Sequence, residues 1–361
     1  MKINILIIFT VLFFIFINCQ EMKKDEIEKG TINFSKQYHT IEINTGAFGT
    51  ALCNNRFVIL KLNGEFLCLN TSSFGIDSIN TAKLNKKKCS SFYQMYDSLI
   101  VVENGTDYYV NSAFEFVPYD RYKNSFYKSD TTFEYDINNR YIDPLYSDKD
   151  FVIAQFCKGE FGGTVYFFDL QNNKEYYYPT TCASVVNKVG NKYIVTSSLS
   201  HMDASSEVIE VTNPRTFPEL DFDTLKNVGN FWYDFLWDGQ SLERYRNLKN
   251  EMLGKNRVLL DTSGILIFTS FEYQNQVFHL YSSITRYFDA NQESCYTHIG
   301  KVIDNQIHAI DSLCSDQFFS YETQNRVYLD WSLYSFNDRD SFGGFVAIRE
   351  DTISIVKFDI K

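Results

Sequence analysis

The densest group of chemistry-bearing side chains is the run Phe231-Trp232-Tyr233-Asp234-Phe235-Leu236-Trp237-Asp238-Gly239, which holds two of the chain's three tryptophans. Trp and Tyr present flat apolar faces with a polar edge, so Trp232, Tyr233 and Trp237 suit stacking against sugar rings or peptide side chains. The competing reading makes the same rings plugs in a packed seam. A second group is the set of turn residues Asn54, Asn55, Asp97, Asp148, Asn191, Asn305 and Asp351. Ringed around one mouth of a channel, such amides and carboxylates can hold a cation or a glycan. Turns also select Asn and Asp, because both tolerate left-handed backbone and bond their own main chain. Turn chemistry is therefore the expectation.

The five histidines, His39, His201, His279, His298 and His308, form no His-x-x-x-His or Glu-flanked metal motif. Neither a metal site nor a cofactor is expected. His201-Met202-Asp203 with Glu207 reads as solvated loop polarity. No Gly-x-Ser-x-Gly elbow and no phosphate-cradling glycine loop occurs. With 45 acidic residues, a pair of carboxylates for glycoside cleavage has no sequence mark, since such a pair meets only in space. Seven cysteines remain after Cys19, an odd number that leaves at least one thiol free in a monomer. A two-residue turn at Asp304-Asn305 with uniform register sets Cys295 opposite Cys314, a candidate disulfide. Buried free thiols fit the others.

Strands must position these groups. The chain has 361 residues, with 33 Phe and 25 Tyr against 5 Pro and 17 Gly, a composition that favours pleated sheet. The clearest stretch, Cys182–Asn213, reads as strand, tight turn at Gly190-Asn191, strand, loop, strand. Polar turns followed by short apolar runs recur along the chain. The runs start at residues 57, 99, 151, 193, 265, 307 and 353, and a spacing of 42 recurs among them. That is the length of a four-stranded propeller blade. An all-β, seven-bladed β-propeller is expected, with six blades as the alternative and an N-terminal strand near Thr31–Ser35 or Tyr38–Asn44 closing the last blade. The longest gap carries a helix near Leu242–Leu253, with an apolar stripe of Leu242, Tyr245, Leu248 and Met252 and a stop at Gly254. Helix and aromatic run are expected as an insert between blades.

A net charge of −11 repels a phosphate backbone, so nucleic acid is not an expected partner. Residues 1–18 hold Lys2 and then an apolar core from Ile3 to Ile17, the pattern of an export signal. No later run approaches the roughly 18 to 20 apolar residues of a membrane span. Phe16-Ile17-Asn18-Cys19 resembles the lipobox of bacterial lipoproteins, in the loose form tolerated by the Bacteroidetes. Gln20 to Glu26 is similar to the charged segment that follows the lipidated cysteine there. The whole resembles, at the level of fold, envelope lipoproteins with a TolB-like propeller.

That resemblance implies a signal peptide at 1–18, a lipidated Cys19 and polar tether at 19–35, and a propeller over 36–361. It implies a monomer on the bacterial outer membrane, facing the periplasm or the surface, that binds a protein, peptide or glycan. The alternatives are a polysaccharide hydrolase or lyase, and a secreted chain glycosylated at Asn70 and Asn104.

Overall fold

The computed structural model describes residues 32–95, 98–119, 143–157, 163–199, 204–219, 247, 249–283, 296–314, 317–319, 328–333 and 343–361. Strand β1 (Ser35–Ile43) leads into blade one, made of β2 (Ala47–Cys53), β3 (Arg56–Lys61) and β4 (Phe66–Asn70). Blade two is β5 (Ser91–Met95), β6 (Ser98–Glu103), β7 (Thr106–Val110) and β8 (Phe116–Pro118). Blade three is β9 (Asp143–Ser147), β10 (Phe151–Cys157), β11 (Gly163–Asp169) and β12 (Lys174–Thr180). Blade four is β13 (Ala183–Val189), β14 (Lys192–Leu199), β15 (Ser205–Val211) and β16 (Arg257–Ser263). Blade five is β17 (Ile265–Tyr273), β18 (Gln276–Ser283), β19 (Tyr296–Ile303) and β20 (Gln306–Cys314). Blade six is β21 (Gln317–Phe319), β22 (Tyr328–Leu333), β23 (Gly344–Arg349) and β24 (Thr352–Ile360).

Each blade is an antiparallel meander in sequence order, and β1 adds to the outer edge of blade six beside β24. The β1–β24 pair is parallel, from Ser35↔Thr352 to Ile43↔Ile360. The direction follows from the route of the chain. A fourth strand runs toward the end where the next blade's first strand begins, and β1 must deliver the chain to β2 at that end. Packing begins ahead of residue 36, because Phe34 is buried and Ile32 packs beside it.

The ring has six blades, not seven. The turn-then-strand signal marks any tight hairpin within a blade. The runs starting at 57, 99, 151 and 193 are second strands, whereas those at 265 and 307 are the first and fourth strands of one blade, five. The insert is likewise misplaced by sequence. It occupies residues 212–256, between β15 and β16 inside blade four, rather than between blades. Of the expected helix, residues 249–253 are helical and Gly254 ends it at φ +58. Leu242, Tyr245 and Leu248 lie outside the described residues, while Met252 packs on the seam between blades three and four.

Strand alternation places apolar side chains on both faces of each sheet. In blade one, Phe57, Ile59, Leu67 and Leu69 face blade six. Val58, Leu60, Phe66 and Cys68 face Leu99, Val101 and Val110 of blade two. The core is therefore a series of seams between blades. Blade one shows three strands, and helix α1 (Ser78–Leu84) covers the outer edge. Asp77 caps it by accepting from the Asn80 N–H. Beyond its end, the Asn85 amide takes the place of a neighbouring strand. Its Oδ1 accepts from the Phe66 N–H at 2.6 Å and its Nδ2 donates to the Phe66 carbonyl at 3.0 Å. The Cys68 N–H is satisfied by Thr81 Oγ1 at 3.0 Å. An open edge is thus closed by side chains.

Asn85→Ala strips both partners from the buried Phe66 backbone and is expected to cost about 1 to 3 kcal/mol. Urea unfolding checks this against Lys86→Ala, which should leave the midpoint unchanged.

Candidate functional site

Several candidates named from sequence lie outside the described residues: Cys19, Asp97, His201, Asp203, Trp232, Tyr233, Trp237 and Cys295. The register meets Cys314 differently from the sequence arithmetic. A bulge between Ile299 and Gly300 shifts the β19–β20 ladder by one, so Tyr296 stands opposite Cys314. The disulfide among the described residues joins Cys157, at the end of β10, to Cys182, just before β13. Cys53, Cys68 and Cys89 are free and buried. Burial pushes their thiols up to about 11, about 12 and about 11, which leaves them protonated and poor nucleophiles.

The turn residues do turn work. Asn54 and Asn55, and Asp304 and Asn305, all take positive φ, the backbone that two-residue hairpin turns demand. Asn54 Nδ2 donates to the Asn111 carbonyl and Asn55 Oδ1 accepts from Thr71. Asp148 Oδ1 accepts from the N–H groups of Asp150 and Phe151, and its Oδ2 pairs with Lys188 and Tyr193. Burial raises the Asp148 carboxyl, but Lys188, these amides and Tyr193 outweigh it and hold the group at about 2. Among the described residues, no group of three or more His, Cys, Asp or Glu side chains is arranged to hold a metal ion.

The charged centre that the fold does assemble was read from sequence as loop polarity. Glu207 is in β15, opposite Ser197 of β14 and Asp261 of β16. Its side chain lies on the same face as Ile209 and Val211, toward blade three, and only 1% of it is exposed. Lys249 Nζ reaches Glu207 Oε1 at 2.5 Å, and the Lys249 side chain is itself 14% exposed. The ammonium also sits 5.7 Å from the ring centroid of the buried Tyr178. Burial raises the Glu207 carboxyl against the opposing pull of Lys249 and of the Thr181 N–H, with Asp261 adding to the rise. Ser197 Oγ and Thr180 Oγ1, buried nearby on facing strands, have no hydrogen-bond partner among the described residues. The seam is apolar at Phe151, Phe167, Tyr193 and Val211 and polar at its other end.

Both stems of the insert are rooted on this seam. On the first, Arg215 makes two bonds to the buried Asp169, Nε to Oδ2 at 2.5 Å and Nη2 to Oδ1 at 3.0 Å. Arg215, two neighbouring amide N–H groups and Asn172 hold that carboxyl far below the usual range, against the opposing effect of burial. Phe217 stacks on Tyr178 with ring centroids 5.0 Å apart. On the second stem, Met252 and Leu253 add to the seam. Asn256 ties the two together, accepting from the Thr212 N–H at 2.9 Å and donating to Thr216 Oγ1 at 3.1 Å. The sequence signal was present in Ser205-Ser206-Glu207-Val208-Ile209-Glu210-Val211. Read with period two, it puts Glu207 on the face of Ile209 and Val211.

The other face of blade four is also polar. Asn187 Nδ2 donates to Ser270 Oγ at 2.9 Å, and Thr196 Oγ1 shares a 2.8 Å bond with the same oxygen across the seam to blade five. His279, opposite Ser270, is 1% exposed with Nδ1 unpartnered among the described residues.

No family model and no curated protein matches the chain. Solved structures similar to it include the β-propeller domain of Cps50 (Swd1) from Myceliophteria thermophila, at 8% identity over 79% of each chain and a TM-score of 0.34. PorZ, of the type-IX secretion system of Porphyromonas gingivalis, is similar at 9% identity, over 89% of this chain and 39% of that one, TM-score 0.34. BamB from Moraxella catarrhalis is similar at 10% identity, over 79% of this chain and 82% of that one, TM-score 0.32. The propeller assignment rests on the order of strands in the six sheets.

Burial pushes His279 down to about 3, from 6.5. Between these values the unfolded chain binds a proton that the folded chain refuses, so stability falls as pH drops below 6.5. By about pH 4.5, two pH units below 6.5, the loss should reach about 2.7 kcal/mol. Denaturant unfolding at neutral pH and at about pH 4.5 should show this loss in the native protein and a smaller one in His279→Leu. Equal losses would mean the imidazole does not titrate this way.

Proposed function

We propose that this chain is a binding module, a six-bladed β-propeller that presents the insert of blade four to a protein, peptide or glycan. The observation that carries the reading is the rooting of both insert stems on one seam, by Arg215–Asp169, Phe217–Tyr178, Lys249–Glu207 and the Asn256 bridge. Recognition loops are effective when a rigid scaffold holds their ends. Trp232, Tyr233 and Trp237 fall midway along the chain between those stems, and their flat rings fit sugars or peptide side chains.

The proposal extends to location. Residues 1–18 act as an export signal, and a lipid on Cys19 tethers the domain at the envelope of a Bacteroidetes-type bacterium, on the outer membrane. The Cys157–Cys182 bond supports an extracytoplasmic site independently of the N-terminus, because structural disulfides persist in oxidising compartments.

The test pairs binding with stability. Trp232→Ala and Trp237→Ala are assayed on glycan and peptide arrays beside their melting temperatures. A binding site is expected to lose affinity by about 2 kcal/mol, roughly thirtyfold, with little change in melting. Lower melting with unchanged binding would make the rings structural plugs and remove the insert as the binding surface.

A further inference from the structure

The polar end of the seam between blades three and four gathers more buried oxygen than its one ion pair uses. Strand parity turns the group inward. Thr180 lies two residues past Tyr178, and Ser197 two past Val195, and both Tyr178 and Val195 pack into this seam. Glu207 lies two residues before Ile209, which packs there too. The three come from facing sheets and meet at one level. The Ser198 N–H donates to the Cys182 carbonyl at 2.9 Å, which brings the Ser197 end of β14 beside the Thr180 end of β12. Ser197 stands directly opposite Glu207, and Asp261 stands opposite it on the other side. Lys249 Nζ spans the two blades, 2.5 Å from Glu207 Oε1 and 5.7 Å from the Tyr178 ring centroid.

Four oxygens of this group are buried without a hydrogen-bond partner among the described residues: Glu207 Oε1 and Oε2, Ser197 Oγ and Thr180 Oγ1. Thr180, Ser197 and Glu207 are each 1% exposed. A buried carboxylate is tolerated only when its remaining lone pairs are also met, and Lys249 meets one side alone. His39 Nε2 and His279 Nδ1, in the same condition, lie in other seams. Charge points the same way. Glu207 and Asp261 carry two negative charges against the one positive charge of Lys249, so one is left over. Asp261 is exposed, which gives the group a way in from solvent.

We propose that this group is a binding site for a hard divalent cation of the calcium class, seated on Glu207, Asp261, Ser197 and Thr180. It differs from a cluster of three acidic side chains, since two of its four ligands are hydroxyls. Calcium accepts such a mixture of carboxylate, neutral oxygen and water, at about 2.3 to 2.6 Å and in flexible geometry. Magnesium demands a near-ideal octahedron and gives up its waters reluctantly, so a mixed set from four strands suits it poorly. Glu207 then serves two partners, the Lys249 ammonium on Oε1 and the cation on Oε2. The cation joins blade three to blade four beside the root of the insert's second stem. The site does not depend on what the insert binds.

The test uses the full chain, stripped of metal with EDTA and dialysed. Calcium chloride is titrated by calorimetry, and melting is followed in calcium, magnesium or sodium chloride at matched ionic strength. One calcium per chain is expected, with melting raised by several degrees and magnesium bound more weakly by about tenfold or more. Thr180→Val and Ser197→Ala leave the Glu207–Lys249 pair untouched. Together they should weaken calcium binding by about tenfold or more while the calcium-free protein melts no lower. Asp261→Asn should weaken it likewise. The site is overturned if millimolar calcium does not bind, in which case water alone meets the buried oxygens. Equal shifts with sodium or magnesium would overturn it too, as would calcium binding that survives all three substitutions.

Discussion

Each sheet of this protein carries apolar side chains on both faces, and neither face can be left in water. At about 25 cal/mol per Å² of apolar surface, a single exposed blade face forfeits more than the few kcal/mol that separate a domain from its unfolded chain. Every blade must therefore be covered on both sides by other blades, and a closed ring meets that demand without an end. The parallel pairing of β1 with β24 follows from the same constraint, since it joins the chain's N-terminal strand to its last sheet. Where a strand edge would otherwise stay open, in blade one, Asn85 and Thr81 supply the missing partners.

Blade four departs from this apolar rule on both faces. Toward blade five it carries Asn187 and Thr196 bonded to Ser270. Toward blade three it carries Glu207. Buried ion pairs are poor sources of net stability, because desolvation of two charges offsets much of their attraction. Their use lies in specificity: an apolar stem could slide along the seam, whereas Lys249 has one ion-pair partner among the described residues. Glu207 marks where the second stem must seat, as Asp169 does for Arg215 on the first. Charge fixes where the insert's stems seat, Phe217, Met252 and Leu253 add apolar packing there, and the ring is held by apolar packing.

The strands and tight turns were legible because their chemistry is local. Asn54-Asn55 and Asp304-Asn305 adopt the positive φ that their residue types favour, and Cys182–Asn213 forms three successive strands of blade four. Blade number was not legible, since an identical hairpin signal opens a second strand at Asn191 and a fourth strand at Asn305. The bond from Cys157 to Cys182 depends on how blade three meets blade four, which no spacing encodes. The arithmetic that set Cys295 against Cys314 missed the bulge at Ile299 and Gly300. Glu207 was hidden for another reason: its neighbours Ser205 and Ser206 look like loop, and only strand parity with Ile209 and Val211 places the carboxylate indoors. The aromatic run at Trp232 to Trp237 lies outside the described residues, and the pairings that anchor the stems on either side of it carried no mark in the sequence.

The most direct measurement is a double-mutant cycle on Glu207→Gln and Lys249→Met by equilibrium unfolding at neutral pH. If the insert is seated by this pair, either change alone leaves a buried group without its partner and costs about 3 kcal/mol or more, while the double variant loses clearly less than the sum. Two small, additive losses would contradict a seated stem and leave Lys249 a bystander on the surface of blade four.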